Sequence, residues 1–138
     1  MGETPATLSV MVVDDDDLVR KVITIFFTGK GYRVLTAASG QECLAQMSPN
    51  PPDAVLLDVT MPSMDGWEVC RRIRAFSAVP IIMLTARAQE ADKDTAVLVG
   101  ASAYVTKPVS LKELDARIRA LVAPPASPNA VDDRDAQT

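Results

Sequence analysis

The residues best placed for chemistry in this chain are aspartates, a threonine and a lysine, each at the end of an apolar run. Asp14, Asp15, Asp16 and Asp17 follow Leu8 to Val13, Asp58 closes Ala54-Val55-Leu56-Leu57, and Thr85 closes Ile81-Ile82-Met83-Leu84. Lys107-Pro108 follows Ala103 to Thr106. Acids also favour a helix N-terminus through the macrodipole, and that is the simpler reading of Asp16 and Asp17, with Asp17 as the cap. Asp14 and Asp15 directly follow a buried strand and should converge on Asp58. Three carboxylates within reach of one another repel unless they are protonated or neutralised. A divalent cation resolves the conflict, and an all-oxygen set suits Mg²⁺, with Mn²⁺ able to substitute. Lys107 is either a snorkelling surface residue or a point charge returned to the acidic cleft, where it can pair with a carboxylate and a phosphoryl oxygen. Thr85 is either a strand terminator or a hydroxyl for the same phosphoryl group. Together these residues describe phosphoryl transfer to a carboxylate.

Other chemistries are removed by composition. The chain has no histidine, which excludes Ser-His-Asp triads, His metal sites and imidazole general base catalysis. Cys43 and Cys70 lie far apart without CxxC spacing and read as small buried thiols. A net charge of -4 argues against nucleic acid as a direct partner, and Arg71, Arg72 and Arg74 read as a solvated helix face. No apolar run approaches the roughly 20 residues needed to span a bilayer. Met1 to Thr7 holds an acid and a proline but no basic cluster, unlike a signal peptide, so a cytoplasmic location and no membrane partner are expected.

The elements that must position these groups alternate in kind. Leu8 to Val13 reads as a strand, and Asp17 to about Lys30 as a helix on Val19, Val22, Ile23, Phe26 and Phe27, stopped by Gly29 and Gly31. Tyr32 to Thr36 is a second strand. Ser39 with Glu42 forms a capping box for a helix to about Met47, and the breaker cluster Ser48 to Pro52 is a loop. Ala54 to Asp58 is an uninterrupted apolar run, as a doubly covered parallel strand requires. A third helix from Gly66 to about Phe76 sets Val69, Ile73 and Phe76 on one face. Ile81 to Thr85 is the fourth strand, followed by a weakly patterned helix from Glu90 to Val99. Ala103 to Thr106 is the fifth strand, and Ser110 with Glu113 caps a last helix striped by Leu111, Leu114, Ile118 and Leu121. Strands alternating with helices imply one α/β domain over 8–122, a parallel sheet covered on both faces, with 1–7 as an extension. Residues 123–138, rich in Pro, Ala, Asp and Ser, are expected to be a disordered tail or a linker. In such a sheet ligands bind beyond the carboxyl ends of the strands, where the residues above fall.

Four segments carry a specific resemblance: Val12-Val13-Asp14-Asp15, Leu56-Leu57-Asp58-Val59-Thr60-Met61-Pro62 with Asp65-Gly66, Leu84-Thr85-Ala86, and Tyr104-Val105-Thr106-Lys107-Pro108. In order and spacing they resemble the receiver domain of two-component response regulators, over about Leu8 to Val122. The resemblance implies a (βα)5 doubly wound, flavodoxin- or CheY-like sheet of strand order 2-1-3-4-5. It implies that Asp58 accepts a phosphoryl group from a sensor histidine kinase or phosphotransfer protein. Asp15, Asp58 and the Val59 carbonyl would hold Mg²⁺, with Asp14 acting through water or by orienting the site. Lys107 would pair first with Asp58 and then with the phosphoryl group, which Thr85 and the Ala86 amide would also bind. Tyr104 would be the switch residue, and Lys107-Pro108 would be a cis peptide. Thr60 and Arg87 sit where side chains tune access of the hydrolytic water, and a slow to moderate self-dephosphorylation is expected. The fourth helix, fifth strand and fifth helix would carry the signal to a target protein or output domain, or to a phosphorylation-dependent dimer.

Two other readings share some features. A haloacid-dehalogenase-like phosphatase needs a second acid two residues after its nucleophile, where this chain has Thr60. A receiver-like scaffold that works without phosphorylation would not need Asp15, Asp58, Thr85 and Lys107 together.

Overall fold

The computed structural model describes residues 7–48, 50–86 and 90–122, so Arg87, 1–6 and 123–138 lie outside the described residues. The chain alternates strand and helix throughout: β1 (Ser9–Val13), α1 (Asp17–Gly29), β2 (Arg33–Ala37), α2 (Gly40–Gln46), β3 (Ala54–Asp58), α3 (Gly66–Arg74), β4 (Ile81–Thr85), α4 (Glu90–Val99), β5 (Ala103–Thr106) and α5 (Leu111–Val122). The strands form one parallel sheet in the order β2-β1-β3-β4-β5.

The apolar runs of β1, β3 and β4 are continuous because both faces are covered, and alternate residues serve different cores. Met11, Val13, Val55, Leu57, Ile81 and Met83 pack with Cys43 and Met47 of the α2 region and Val69, Cys70 and Ile73 of α3. Val10, Val12, Leu56, Ile82 and Leu84 pack instead with Ile23 and Phe27 of α1 and Leu114 and Ile118 of α5. Both cysteines are free and buried, as their spacing suggests, and burial pushes the Cys43 thiol up to about 12.

Local signals set the helix ends. Asp16, rather than Asp17, caps α1, its carboxylate accepting from the amides of Leu18 and Val19. At the other end Gly31 takes a left-handed φ of 94°, and the Tyr32 amide returns to the Phe27 carbonyl at 3.0 Å. Ser39 caps α2 through the Glu42 amide, but Glu42 reaches back to the Ala38 amide, one residue beyond the Ser39 amide of the expected box. α3 ends earlier than its apolar pattern implies. The Phe76 and Ser77 amides both turn back to the Ile73 carbonyl, and Phe76 leaves the core to stand exposed. Val69, Cys70 and Ile73 make up the buried apolar face of α3. Val22 on α1 likewise faces outward, leaving Ile23 and Phe27 as the buried pair.

Arg74 corrects the expected solvated face of α3. Arg71 and Arg72 are exposed and pair with Glu68, whereas Arg74 donates to the carbonyls of Gly100 (2.8 Å) and Ser77 (3.1 Å) and to Ser102 Oγ (3.3 Å). It thereby ties α3 to the turn after α4. Across the molecule, the Tyr32 hydroxyl donates to Asp115 at 2.6 Å, Arg119 donates to the same oxygen, and the Arg119 guanidinium lies 5.2 Å from the Tyr32 ring centre. Tyr32→Phe removes one hydrogen bond between the α1–β2 turn and α5, so it is expected to cost about 1 kcal/mol in a urea melt. Among the described residues no helix is long and apolar enough to cross a membrane.

Candidate functional site

A parallel sheet delivers the carboxyl ends of its strands to one rim, and the chain turns sharply at each. At the end of β1 the aspartate run divides. Asp14 is buried, its Oδ1 accepting from the Asp16 amide at 2.9 Å, while Asp15 is exposed beside it. Asp16 and Asp17 belong to the start of α1. At the end of β3, Asp58 is 5% exposed and lies in register with Leu84. Thr85, the last residue of β4, is 3% exposed and in register with Thr106; its carbonyl accepts from the Lys107 amide at 2.7 Å. The Lys107–Pro108 peptide is cis. Lys107 Nζ reaches 2.9 Å from Asp58 Oδ1 and 3.9 Å from Asp14 Oδ2.

Oxygens of Asp14, Asp15 and Asp58 lie within 4.8 Å of one another. Burial pushes the Asp58 carboxyl up from the ordinary carboxylate range, more than the Lys107 hydrogen bond draws it down. Burial also pushes Asp14 up, and the Asp58 and Asp15 carboxylates add to this against the Asp16 amide and Lys107. For Lys107 burial alone would lower the ammonium, but the Asp58 hydrogen bond and the surrounding carboxylates raise it. Asp14 Oδ2 is buried without a hydrogen-bond partner among the described residues. An orphaned carboxylate oxygen in an all-oxygen acidic cluster fits a hard divalent cation.

The raised Asp14 has a consequence for stability. A carboxyl that holds its proton more tightly folded than unfolded imposes no penalty at low pH. Its penalty grows as pH rises from the ordinary carboxylate range through the raised folded value. Asp14→Asn keeps an acceptor for the Asp16 amide and removes the charge. It is expected to stabilise the metal-free protein at pH 7, a gain that shrinks toward pH 4. Calorimetric melting in chelator at the two pH values checks this.

The remaining residues named from sequence have distinct places. Val59 follows Asp58, buried, and its carbonyl accepts from the Gly66 amide at 2.8 Å. Thr60 is exposed next to it and its backbone hydrogen-bonds Asp58. Ala86 is exposed at the rim, directly after Thr85. Tyr104 lies half-buried on β5, opposite Met83 and two residues before the rim. Gly66 opens α3 as its position in the sequence predicts, and its lack of a side chain has a tertiary cause. A β-carbon there would stand 2.2 Å from the Asp58 carbonyl oxygen. Glycine directly after the helix-capping Asp65 was the available signal, but the closeness of the two backbones is a tertiary fact.

The strand order and the acidic rim together define the receiver class of α/β signalling domain. Residues 10–119 match the family described as the response regulator receiver domain, and the chain belongs to that family. It is 46% identical over 114 residues to the transcriptional regulatory protein AfsQ1 of Streptomyces coelicolor, covering 83% of this chain and 51% of that protein. It is 48% identical over 113 residues to the probable transcriptional regulator ycf27 of Guillardia theta, covering 82% and 44%. The chain thus spans about half the length of the curated relatives it matches. Among solved structures, a putative response regulator from Chloroflexus aurantiacus superposes with a TM-score of 0.80 at 37% identity, over 86% of this chain and all of that one. The chemotaxis protein CheY4 of Vibrio cholerae gives 0.78 at 31% identity, over 84% and 99%.

Proposed function

We propose that this receiver takes a phosphoryl group from the phosphohistidine of a sensor kinase or phosphotransfer protein onto Asp58. One arrangement carries the proposal: three carboxylates within 4.8 Å of one another, with Lys107 bonded to Asp58. Asp15, Asp58 and the Val59 carbonyl would hold Mg²⁺, or Mn²⁺ in its place, and Asp14 would act through water or by orienting that set. When bound, the metal supplies positive charge opposite the phosphoryl oxygens. An Asp58 oxygen forms a bond to phosphorus as the donor's P–N bond breaks and the imidazole departs. Lys107 passes from the carboxylate to a phosphoryl oxygen, and the Thr85 hydroxyl and Ala86 amide receive the others. Thr60 and Arg87, two residues after Asp58 and Thr85 in the sequence, would tune access of the water that later hydrolyses the acyl phosphate, with slow to moderate loss expected.

Signal output follows from the charge added. Reversing a 1:99 population needs about 5.5 kcal/mol of differential stabilisation, within reach of several charge-assisted contacts. Tyr104 would turn inward as Thr85 is drawn to the phosphoryl group, shifting the α4-β5-α5 face. α4 suits such a shift: of its described side chains Ala96 is buried, while Val97 and Leu98 are exposed. The relatives named as transcriptional regulators are about twice as long, which supports an output domain as the target of that face. Incubation with Mg²⁺ and a small acyl phosphate should add one phosphoryl group to the intact mass, and omission of the metal should prevent it. No gain with any donor would leave the scaffold reading in its place.

A further inference from the structure

The β1–α1 turn carries two of the three clustered carboxylates, and a cation outside the cleft holds its backbone. Arg20, in the first turns of α1, has a side chain only 18% exposed. Its Nη1 donates to the Asp14 carbonyl at 2.6 Å, and its Nη2 pairs with Asp17. The Asp14 carbonyl belongs to the peptide that joins Asp14 to Asp15. Asp14 is fixed from the other side by the Asp16 amide on Oδ1. The exposed Asp15 carboxylate hangs directly from the peptide that Arg20 grips.

We propose that Arg20 is a positioning residue for the divalent-cation site: by fixing the Asp14–Asp15 peptide plane it aims Asp15 at Asp58. The inference rests on the metal-site reading above, and it makes a prediction opposite in sign to simple electrostatics. A guanidinium near three carboxylates repels an incoming cation, so removing its charge alone would tighten cation binding. Loss of positioning loosens it instead, since a misaimed ligand costs about tenfold or more in metal affinity. A planar fork serves two acceptors at once, whereas an ammonium is a point charge that holds one well. Arg20→Lys should therefore restore part of the affinity lost in Arg20→Ala.

The test is Mn²⁺ binding to the full chain, read from the electron paramagnetic resonance of free Mn²⁺, with melting in chelator to establish that each variant folds. Arg20→Ala is expected to bind about tenfold more weakly and Arg20→Lys to fall between it and wild type. Asp17→Asn is expected to stay within about twofold of wild type, because that carboxylate is solvated and far weaker as an anchor. Should Arg20→Ala fail to fold, Arg20→Lys carries the test alone. Equal or tighter binding in the Arg20 variants overturns the inference. Wild type that binds no Mn²⁺, or Asp15→Asn that binds as well as wild type, overturns the metal site itself and the inference with it.

Discussion

Asp58→Asn is expected to reduce phosphoryl uptake from a small acyl phosphate to background, with the wild-type mass gain absent. The substitution is nearly isosteric. The amide oxygen can still accept from Lys107, so the packing at the end of β3 has little reason to change. What it loses is the nucleophile, and no neighbour can replace it. Asp14 has its Oδ1 engaged by the Asp16 amide, and its Oδ2 lies 3.9 Å from the Lys107 ammonium, which bonds Asp58 instead. Asp15 is exposed, but the Lys107 ammonium sits 2.9 Å from Asp58 Oδ1, and charge dispersal is therefore centred on Asp58. Loss of one raised carboxyl should also make the metal-free variant at least as stable as wild type at neutral pH. Intact mass after donor treatment, beside melting in chelator, separates loss of chemistry from loss of fold. Phosphoryl uptake that persists in a folded Asp58→Asn chain would remove Asp58 from the proposed role.

Much of this architecture is legible in the sequence because a doubly wound sheet writes itself plainly. β3 and β4 are apolar at every position before their last residue, a pattern that a half-solvated strand does not produce. Residues at strand ends are then forced to one rim, which is why Asp14, Asp15, Asp58, Thr85 and Lys107 can be grouped without coordinates. Periodicity fails where the chain stops being periodic. Phe76 continues the helical spacing of Val69 and Ile73, yet the helix has already ended at Arg74. Roles that depend on a neighbour from another element are also hidden. Nothing in Arg71-Arg72-Arg74 distinguishes the arginine that clamps Gly100 and Ser102 from the two that face water. Arg20 looks like an ordinary i+3 partner of Asp17 until its second contact, with the Asp14 carbonyl, is seen.

The second large effect is expected at a residue with no functional group. Gly66 opens α3 immediately after its cap, Asp65, and packs on the peptide that follows the phosphoacceptor candidate. Its amide donates to the Val59 carbonyl at 2.8 Å. A β-carbon would lie 2.2 Å from the Asp58 carbonyl oxygen, 2.9 Å from Val59 Cα and 3.0 Å from the Asp58 carbonyl carbon. All three are backbone atoms of a central strand end, so no side chain can swing aside to admit it. Either α3 retreats or the Asp58–Val59 peptide turns, and both disturb the groups proposed to face the metal. Gly66→Ala is expected to cost about 3 kcal/mol, at the upper end for overpacking because the backbone must yield. Mn²⁺ binding should weaken with it, although Gly66 offers the metal no ligand. Gly29→Ala supplies the contrast, since nothing lies within 4 Å of a β-carbon there. In a helix that exchange should be neutral or stabilise by about 0.5–1 kcal/mol. Urea midpoints and Mn²⁺ titrations on the two variants decide the matter. If Gly66→Ala matches wild type in both, the close approach of α3 to Asp58 does not constrain the site.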